Sequence, residues 1–372
     1  MGKANKRIRI LFTGGGTGGH LFPAVATAQA FKEKFPGCSI FFVGTKRKVD
    51  ERSLAAYGFE FENIRCYGLK GKNPIELLKA LCILPLSYVQ ALKIIRGFRP
   101  DVIVGVGGYV TGPVVAAGKS LGIPSVIHEQ NSVPGLANRK LGQLVDRVCL
   151  SLPDSGDAFP VGKIVYTGNP VRKNILELAA CVPPEHTGKK TILVLGGSQG
   201  AHGVNRLVIE ALTSLSGQVL SGIRVIHQTG EADAEMVEKA YKTKDIEAKV
   251  RPFFTQMHEV YDQADLLVSR AGATTLSELA VLGKPALLIP YPFAADNHQE
   301  KNSDYYVAGG GARKYNEKDV TGKELASEIV QLIGDEEKLK NMGNAMQQLA
   351  FPDAAEKIVA CCLELVCPVH GR

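Results

Sequence analysis

The chain is constrained most by an alternation that occurs twice: short runs rich in β-branched and aliphatic residues, each followed by a longer stretch with helical spacing. The first series of runs is Arg7 to Phe12, Ser39 to Val43, Asp101 to Val106, Pro124 to His128, Arg147 to Leu150 and Lys163 to Thr167. The second is Thr191 to Leu195, Ile223 to Gln228, Lys249 to Phe253, Ala264 to Val268 and Pro285 to Ile289. Strands separated by helices are joined by crossovers rather than hairpin turns, so the pattern predicts parallel βαβ units. The fold class is α/β, with two doubly wound, Rossmann-like parallel-sheet halves. A length of 372 residues suits two domains at roughly 100 to 200 residues each. Loop-forming residues between Gly168 and Lys190, among them Asn169-Pro170, Pro183-Pro184 and Gly188, mark the seam. We therefore expect domains at 1–170 and 171–351 and a terminal segment at 352–372. Within that segment, Pro352 to Val366 has helical spacing and too few residues to stand alone, so it must pack on something already built.

Hydrophobic residues make up 45% and charged residues 22% of the chain, near the values for folded globular proteins. A disordered chain and a membrane-embedded bundle are thereby excluded. Lys and Arg exceed Asp and Glu, for a formal net charge of +7. That favours anionic partners, namely phosphates, acidic lipid headgroups or nucleic acid, without choosing among them. The eight cysteines include no CxxC and no zinc spacing and read as reduced, small apolar residues. The basic start from Lys3 to Arg9 meets an apolar run too short for a signal peptide. The longest apolar stretch, Ile75 to Ile95, is interrupted by Lys79, Pro85, Gln90 and Lys93 and is not expected to span a membrane. Asn73-Pro74 supplies it with an N-cap and a first-turn proline.

Both series open with an apolar run ending in glycines, Ile10 to His20 in the first and Leu193 to Ala201 in the second. A third glycine loop, Gly105 to Tyr109, follows the run at Asp101. Ligands of open α/β sheets bind beyond the carboxyl ends of the strands, where glycine lets backbone N–H groups come close and helix N-termini favour negative charge. Gly14, Gly16 and Gly19 formally match GxGxxG, but the acidic residue expected after the second strand of a dinucleotide-binding fold is absent, for Val43 leads into Gly44-Thr45-Lys46-Arg47. A P-loop fails too, because Gly118-Lys119-Ser120 has Pro113 where the upstream glycine belongs and follows a predicted helix. No HExxH and no Asp-x-Asp pair occur, so no metal site is expected. What remains is a set of polar clusters after strands: His128 to Asn131, Gly168 to Arg172, Ser269 to Glu278 and Asp296 to Gln299. They suit a phosphorylated, hydroxyl-rich ligand.

Taken together and in order, Gly14 to His20, Gly107-Gly108-Tyr109 with Gly112-Pro113, His128 to Asn131, Gly168 to Arg172, Gly196 to Ala201 and Ser269 to Glu278 resemble the MurG family of peptidoglycan glycosyltransferases. The resemblance runs from about Ile8 to Ala354. It implies the GT-B architecture, two Rossmann-like domains facing across a cleft, with the C-terminal helix crossing back to the first. It implies inverting, metal-independent transfer of N-acetylglucosamine from UDP-GlcNAc to the muramyl 4-hydroxyl of lipid I, giving lipid II, with no cofactor and no nucleic-acid partner. Another GT-B enzyme using a UDP-sugar, an epimerase or a glycolipid transferase, is the alternative.

By the same resemblance, Glu278 binds the ribose hydroxyls, for which two acceptor oxygens are apt. Its competing explanation is a capping box, Thr275-Leu276-Ser277-Glu278. Ala273, Thr274, Thr275, Leu276 and Ser277 face the diphosphate at a helix N-terminus. Thr17, Gly18, Gly19, Asn131, Arg172, Ser198, Phe254 and Gln299 complete the donor site, with Phe254 at uracil and Arg172 at the diphosphate or tying the seam. His298 stands where the family commonly has a second glutamine. His20 is the candidate general base, with His128 and Glu129 next in line; Tyr109, His128 and Glu129 are the candidate acceptor contacts. A lipid acceptor also gives meaning to the apolar stretch: Ile75, Leu78, Leu81 and Leu84 with Lys72 and Lys79 form an expected docking surface for an anionic inner-membrane surface, placing the enzyme peripherally on the cytoplasmic face.

Overall fold

The computed structural model describes residues 7–15, 18–46, 54–68, 73–181, 188–197 and 200–367. They fall into two compact units, bounded as Met1–Arg172 with Phe351–Arg372, and Lys173–Ala350. The first is built on β1 (Arg9–Thr13), β2 (Ser39–Gly44), β3 (Glu60–Asn63), β4 (Val102–Gly105), β5 (Ser125–Glu129), β6 (Arg147–Leu150) and β7 (Ile164–Tyr166). They form one sheet in the order β3-β2-β1-β4-β5-β6-β7, with every neighbouring pair parallel. A parallel sheet is covered on both faces, which is why its strands read as unbroken apolar runs. Successive side chains of β1 point to opposite faces. Ile10 and Phe12 join Val25 and Phe31 of the helix Gly18–Lys34. Leu11 joins Ile94 and Ile95 of the helix Pro74–Phe98 and Val114 of the helix Thr111–Ser120.

The second unit repeats the plan with β8 (Lys190–Leu195), β9 (Ile223–Gln228), β10 (Ala248–Arg251), β11 (Leu266–Ser269), β12 (Ala286–Leu288) and β13 (Ala312–Lys314). Their order is β10-β9-β8-β11-β12-β13, again all parallel. In each sheet the strand order reverses between the first strand and the fourth, β1 and β4 or β8 and β11, and the crevice beyond their carboxyl ends is the binding position of this topology. The α/β fold with two Rossmann-like parallel sheets is therefore as the alternation predicts. Two strands escape that reading, β3 and β13. Both are edge strands, and both are short.

The terminal helix Ala354–Val366 packs on the helix Gly18–Lys34. Its Ile358, Val359, Cys361 and Cys362 complete the cluster around Phe12 and Phe31. The helix Lys173–Ala180 belongs to the second unit, where it packs on the helices Met257–Asp262 and Ala273–Leu282.

Candidate active site

In the first unit, the carboxyl ends of β1, β4 and β5 bring three loops together. The turn after β4 has Gly107 at φ +96° and Gly108 at φ +83°. A Cβ on Gly108 would meet Gly15 O at 2.7 Å, and one on Gly107 would come within 3.1 Å of His20 Cε1. Two glycine loops therefore touch backbone to backbone, and the imidazole of His20 lies against the second; a side chain at Gly108 would force the loops apart, and one at Gly107 would crowd the His20 ring. His20 is half-buried in the first turn of its helix, with Nδ1 3.0 Å from Gln130 Oε1. Gly18 and Gly19 open the same helix.

His128 and Glu129, the last residues of β5, are both 1% exposed. His128 Nδ1 lies 3.2 Å from Gln130 Nε2, and its Nε2 lies 3.1 Å from Gly168 O and 3.0 Å from Ser151 Oγ. Burial pushes its pKa down to about 4, because a buried imidazolium loses its hydration. It is a neutral, fully engaged ring at neutral pH. Glu129 is equally occupied: Oε1 accepts from the N–H and side-chain amide of Asn131 at 3.0 and 3.2 Å, and Oε2 from Gly135 N–H and Asn138 Nδ2 at 3.0 and 2.9 Å. One carboxylate thus folds the whole 129–138 loop and fixes Asn131. Tyr109 is half-buried, with its carbonyl accepting from the Cys66 thiol at 3.3 Å. Arg172, also in this unit, holds its guanidinium 4.9 Å from the centre of the Phe22 ring.

In the second unit, the helix Ala273–Leu282 starts from Gly272 with no side chain capping it. Thr275 thus lies inside the first turn and Glu278 more than a turn in, so the capping box expected from the sequence is not formed. Ser277 Oγ instead donates to Ala273 O at 3.0 Å, Leu276 is buried and Thr274 half-buried. Glu278 is 2% exposed and its Oε2 accepts the Tyr261 hydroxyl at 3.0 Å. An uncapped first turn leaves the helix's positive end to be met by an anion. The helix His202–Thr213, after the glycines that end β8, likewise has no side-chain cap. Phe254 is buried, with its N–H donating to Gln228 Oε1 at 3.0 Å. Gln299 Oε1 accepts from Tyr291 N–H at 3.0 Å, tying down the loop after β12, and His298 Nδ1 donates to Ala295 O at 2.8 Å. Among the described residues, no group of three or more His, Cys, Asp or Glu is placed to hold a metal ion.

Asn73 and Pro74 open the helix Pro74–Phe98 as expected, with the Asn73 side chain accepting from Glu76 N–H. Its C-terminal half enters the core through Ala91, Ile94 and Ile95. Its N-terminal half is different: Ile75 is 69%, Leu78 62% and Leu81 47% exposed, and Leu86 and Val89 further along the helix are exposed too. Lys79 is exposed and Leu84 half-buried. By length and composition alone, Leu78–Phe98 could cross a membrane, which the interruptions in the sequence had argued against; the buried face of its second half ties it to the first sheet.

Thr17, Ser198 and Lys72 lie outside the described residues. Two participants carry no role in the sequence reading. Gln130 stands two residues after His128, and a period of two places both on one side of the chain, a signal present in the sequence. Tyr261, which orients Glu278, gives no local signal.

The chain is similar to known proteins along its whole length. Residues 10–150 match the glycosyltransferase family 28 N-terminal domain, and residues 191–358 the family 28 C-terminal domain. A UDP-N-acetylglucosamine–N-acetylmuramyl-(pentapeptide) pyrophosphoryl-undecaprenol N-acetylglucosamine transferase of Desulfotalea psychrophila is 56% identical over 98% of both chains. A protein of the same description from an Anaeromyxobacter species is 44% identical over 96% of this chain and 94% of its own. Among solved structures, MurG of Acinetobacter baumannii superimposes with a TM-score of 0.76 at 29% identity, covering 96% of this chain and 99% of that one. A UDP-GlcNAc 2-epimerase from Neisseria meningitidis shares the fold alone, at a TM-score of 0.67 and 16% identity over 96% of this chain and 100% of its own. Two matching domains in the right order and end-to-end identity with these transferases place the chain in glycosyltransferase family 28.

Proposed function

We propose that this protein transfers N-acetylglucosamine from UDP-GlcNAc to the 4-hydroxyl of the muramyl sugar of lipid I, producing lipid II. The observation that carries the reading is identity of 56% over 98% of the chain to a transferase of that description, a level that the epimerases sharing the fold do not approach. The second unit holds the nucleotide: Phe254 at the uracil, Glu278 at the ribose diol, and the first turn from Ala273 to Ser277 at the diphosphate, with Gln299 beside it. By the same resemblance, Gly18, Gly19, Asn131 and Arg172 are further donor contacts.

The transfer is inverting and needs no metal. The acceptor hydroxyl gives its proton to His20 as its oxygen bonds the anomeric carbon, and the bond from that carbon to the β-phosphate oxygen breaks, its electron pair leaving with UDP. A helix N-terminus contributes roughly 0.3–2 kcal/mol to such a charge, and the Arg172 guanidinium adds a fork of donors. His20 is suited to the proton transfer because an imidazole nitrogen carries a basic lone pair that can take the hydroxyl proton. The buried and occupied side chains of His128 and Glu129 shape the acceptor loops from beneath, and Tyr109 contacts the acceptor directly. The exposed apolar turns from Ile75 to Leu81, with Lys79, dock on the anionic cytoplasmic face of the inner membrane, where a polyprenyl acceptor resides.

The deciding experiment incubates the full chain with UDP-GlcNAc, with and without a lipid I analogue. UDP release only when the acceptor is present, with a disaccharide product, is expected. Consumption of UDP-GlcNAc without acceptor would instead identify an epimerase.

A further inference from the structure

We propose that Gln130 is the positioning residue that fixes the tautomer of His20, placing its basic lone pair on Nε2; this rests on His20 being the base and specifies which of its atoms acts. The Gln130 side chain is 2% exposed, and its amide orientation is assigned from the hydrogen-bond network around it. The amide nitrogen lies 2.9 Å from Val106 O and 3.2 Å from His128 Nδ1. A carbonyl oxygen can only accept, so the nitrogen must face it. The flipped amide would set two oxygens against each other in a dry position, at a loss of about 1–3 kcal/mol.

The second amide proton then goes to His128 Nδ1, which must be the unprotonated nitrogen of a neutral ring. His128 carries its proton on Nε2, where Gly168 O, again only an acceptor, lies at 3.1 Å with Ser151 Oγ at 3.0 Å. Two backbone carbonyls, one at each end, therefore polarise the chain in one direction. With both its protons committed, Gln130 can offer His20 only Oε1, at 3.0 Å from Nδ1. An acceptor there holds a proton on Nδ1, and neutral His20 keeps its lone pair on Nε2. The same logic governs triads in which a buried carboxylate orients a histidine, but a neutral amide does it here. Gly107 keeps the Nδ1 side of the ring close to the backbone, since a Cβ there would fall 3.2 Å from that atom.

Two-dimensional ¹⁵N–¹H correlation of the histidine rings in the full chain reads the tautomer directly. In the wild type, neutral His20 is expected to show a protonated Nδ1 and an unprotonated Nε2. Gln130→Met keeps length and removes the acceptor; His20 should then move towards the Nε2-protonated form that imidazole prefers in water. Turnover should fall about ten- to a hundredfold, with the KM for UDP-GlcNAc unchanged. A wild-type His20 protonated on Nε2 overturns the proposal without recourse to any variant, and so does a Gln130→Met protein with an unaltered tautomer. Undiminished turnover in His20→Ala would instead remove the base assignment and leave the tautomer result standing, so the two failures are distinguishable.

Discussion

At the residue scale, one side chain seldom acts alone in this fold. Glu129 spends both oxygens on its own loop, His128 is neutral and enclosed, and Glu278 leans on Tyr261. The sequence exposes such residues by type and place, as polar clusters that follow the apolar runs of strands. It does not expose their partners, because Gly168 and Val106 contribute only a carbonyl oxygen that any residue would carry. The Thr275-to-Glu278 pattern misleads for a related reason: Gly272 takes the cap position, leaving the glutamate inside the helix. If Glu278 holds the ribose diol, shortening it by a methylene removes hydrogen bonds to a charged acceptor, each worth about 1.5–3 kcal/mol. Glu278→Asp is then expected to weaken UDP-GlcNAc binding about ten- to a hundredfold by titration calorimetry. Equal affinity would leave the residue as the packing partner of Tyr261.

At the element scale, the helix Pro74–Phe98 combines two environments that its composition cannot separate. Only the packing of Ala91, Ile94 and Ile95 against β1 and β4 decides that its second half is core, leaving Ile75, Leu78 and Leu81 in solvent. The two unread strands have an equally local cause. β3 (Glu-Phe-Glu-Asn) alternates exposed and half-buried residues, and β13 is three residues with two basic ones. Edge strands are short and charged, which protects a sheet edge and also erases the apolar run by which a strand is recognised. Leu78→Ser with Leu81→Ser tests the docking surface. Each leucine contributes roughly 1.5–3 kcal/mol at full burial, so binding of the full chain to anionic vesicles should drop at least about tenfold while turnover on a soluble acceptor analogue persists. Unchanged vesicle binding would assign those turns another role.

At the scale of the molecule, two copies of one topology, each reversing strand order beside a glycine loop, supply two ligand positions from one folding plan. The repetition is legible because parallel sheets are built from long apolar runs. The terminal helix is legible only as an element in need of a partner; its place on the first sheet follows from Ile358, Val359 and Cys362 closing the cluster around Phe12. The account depends on division of labour, with the nucleotide gripped by the second unit. Hydrogen–deuterium exchange of the full chain, with and without saturating UDP-GlcNAc, tests this most directly. Slowed exchange is predicted at the first turn of the helix Ala273–Leu282 and in the loop from Tyr291 to Gln299. Protection confined to the glycine loops of the first unit, with none at 273–278, would contradict it.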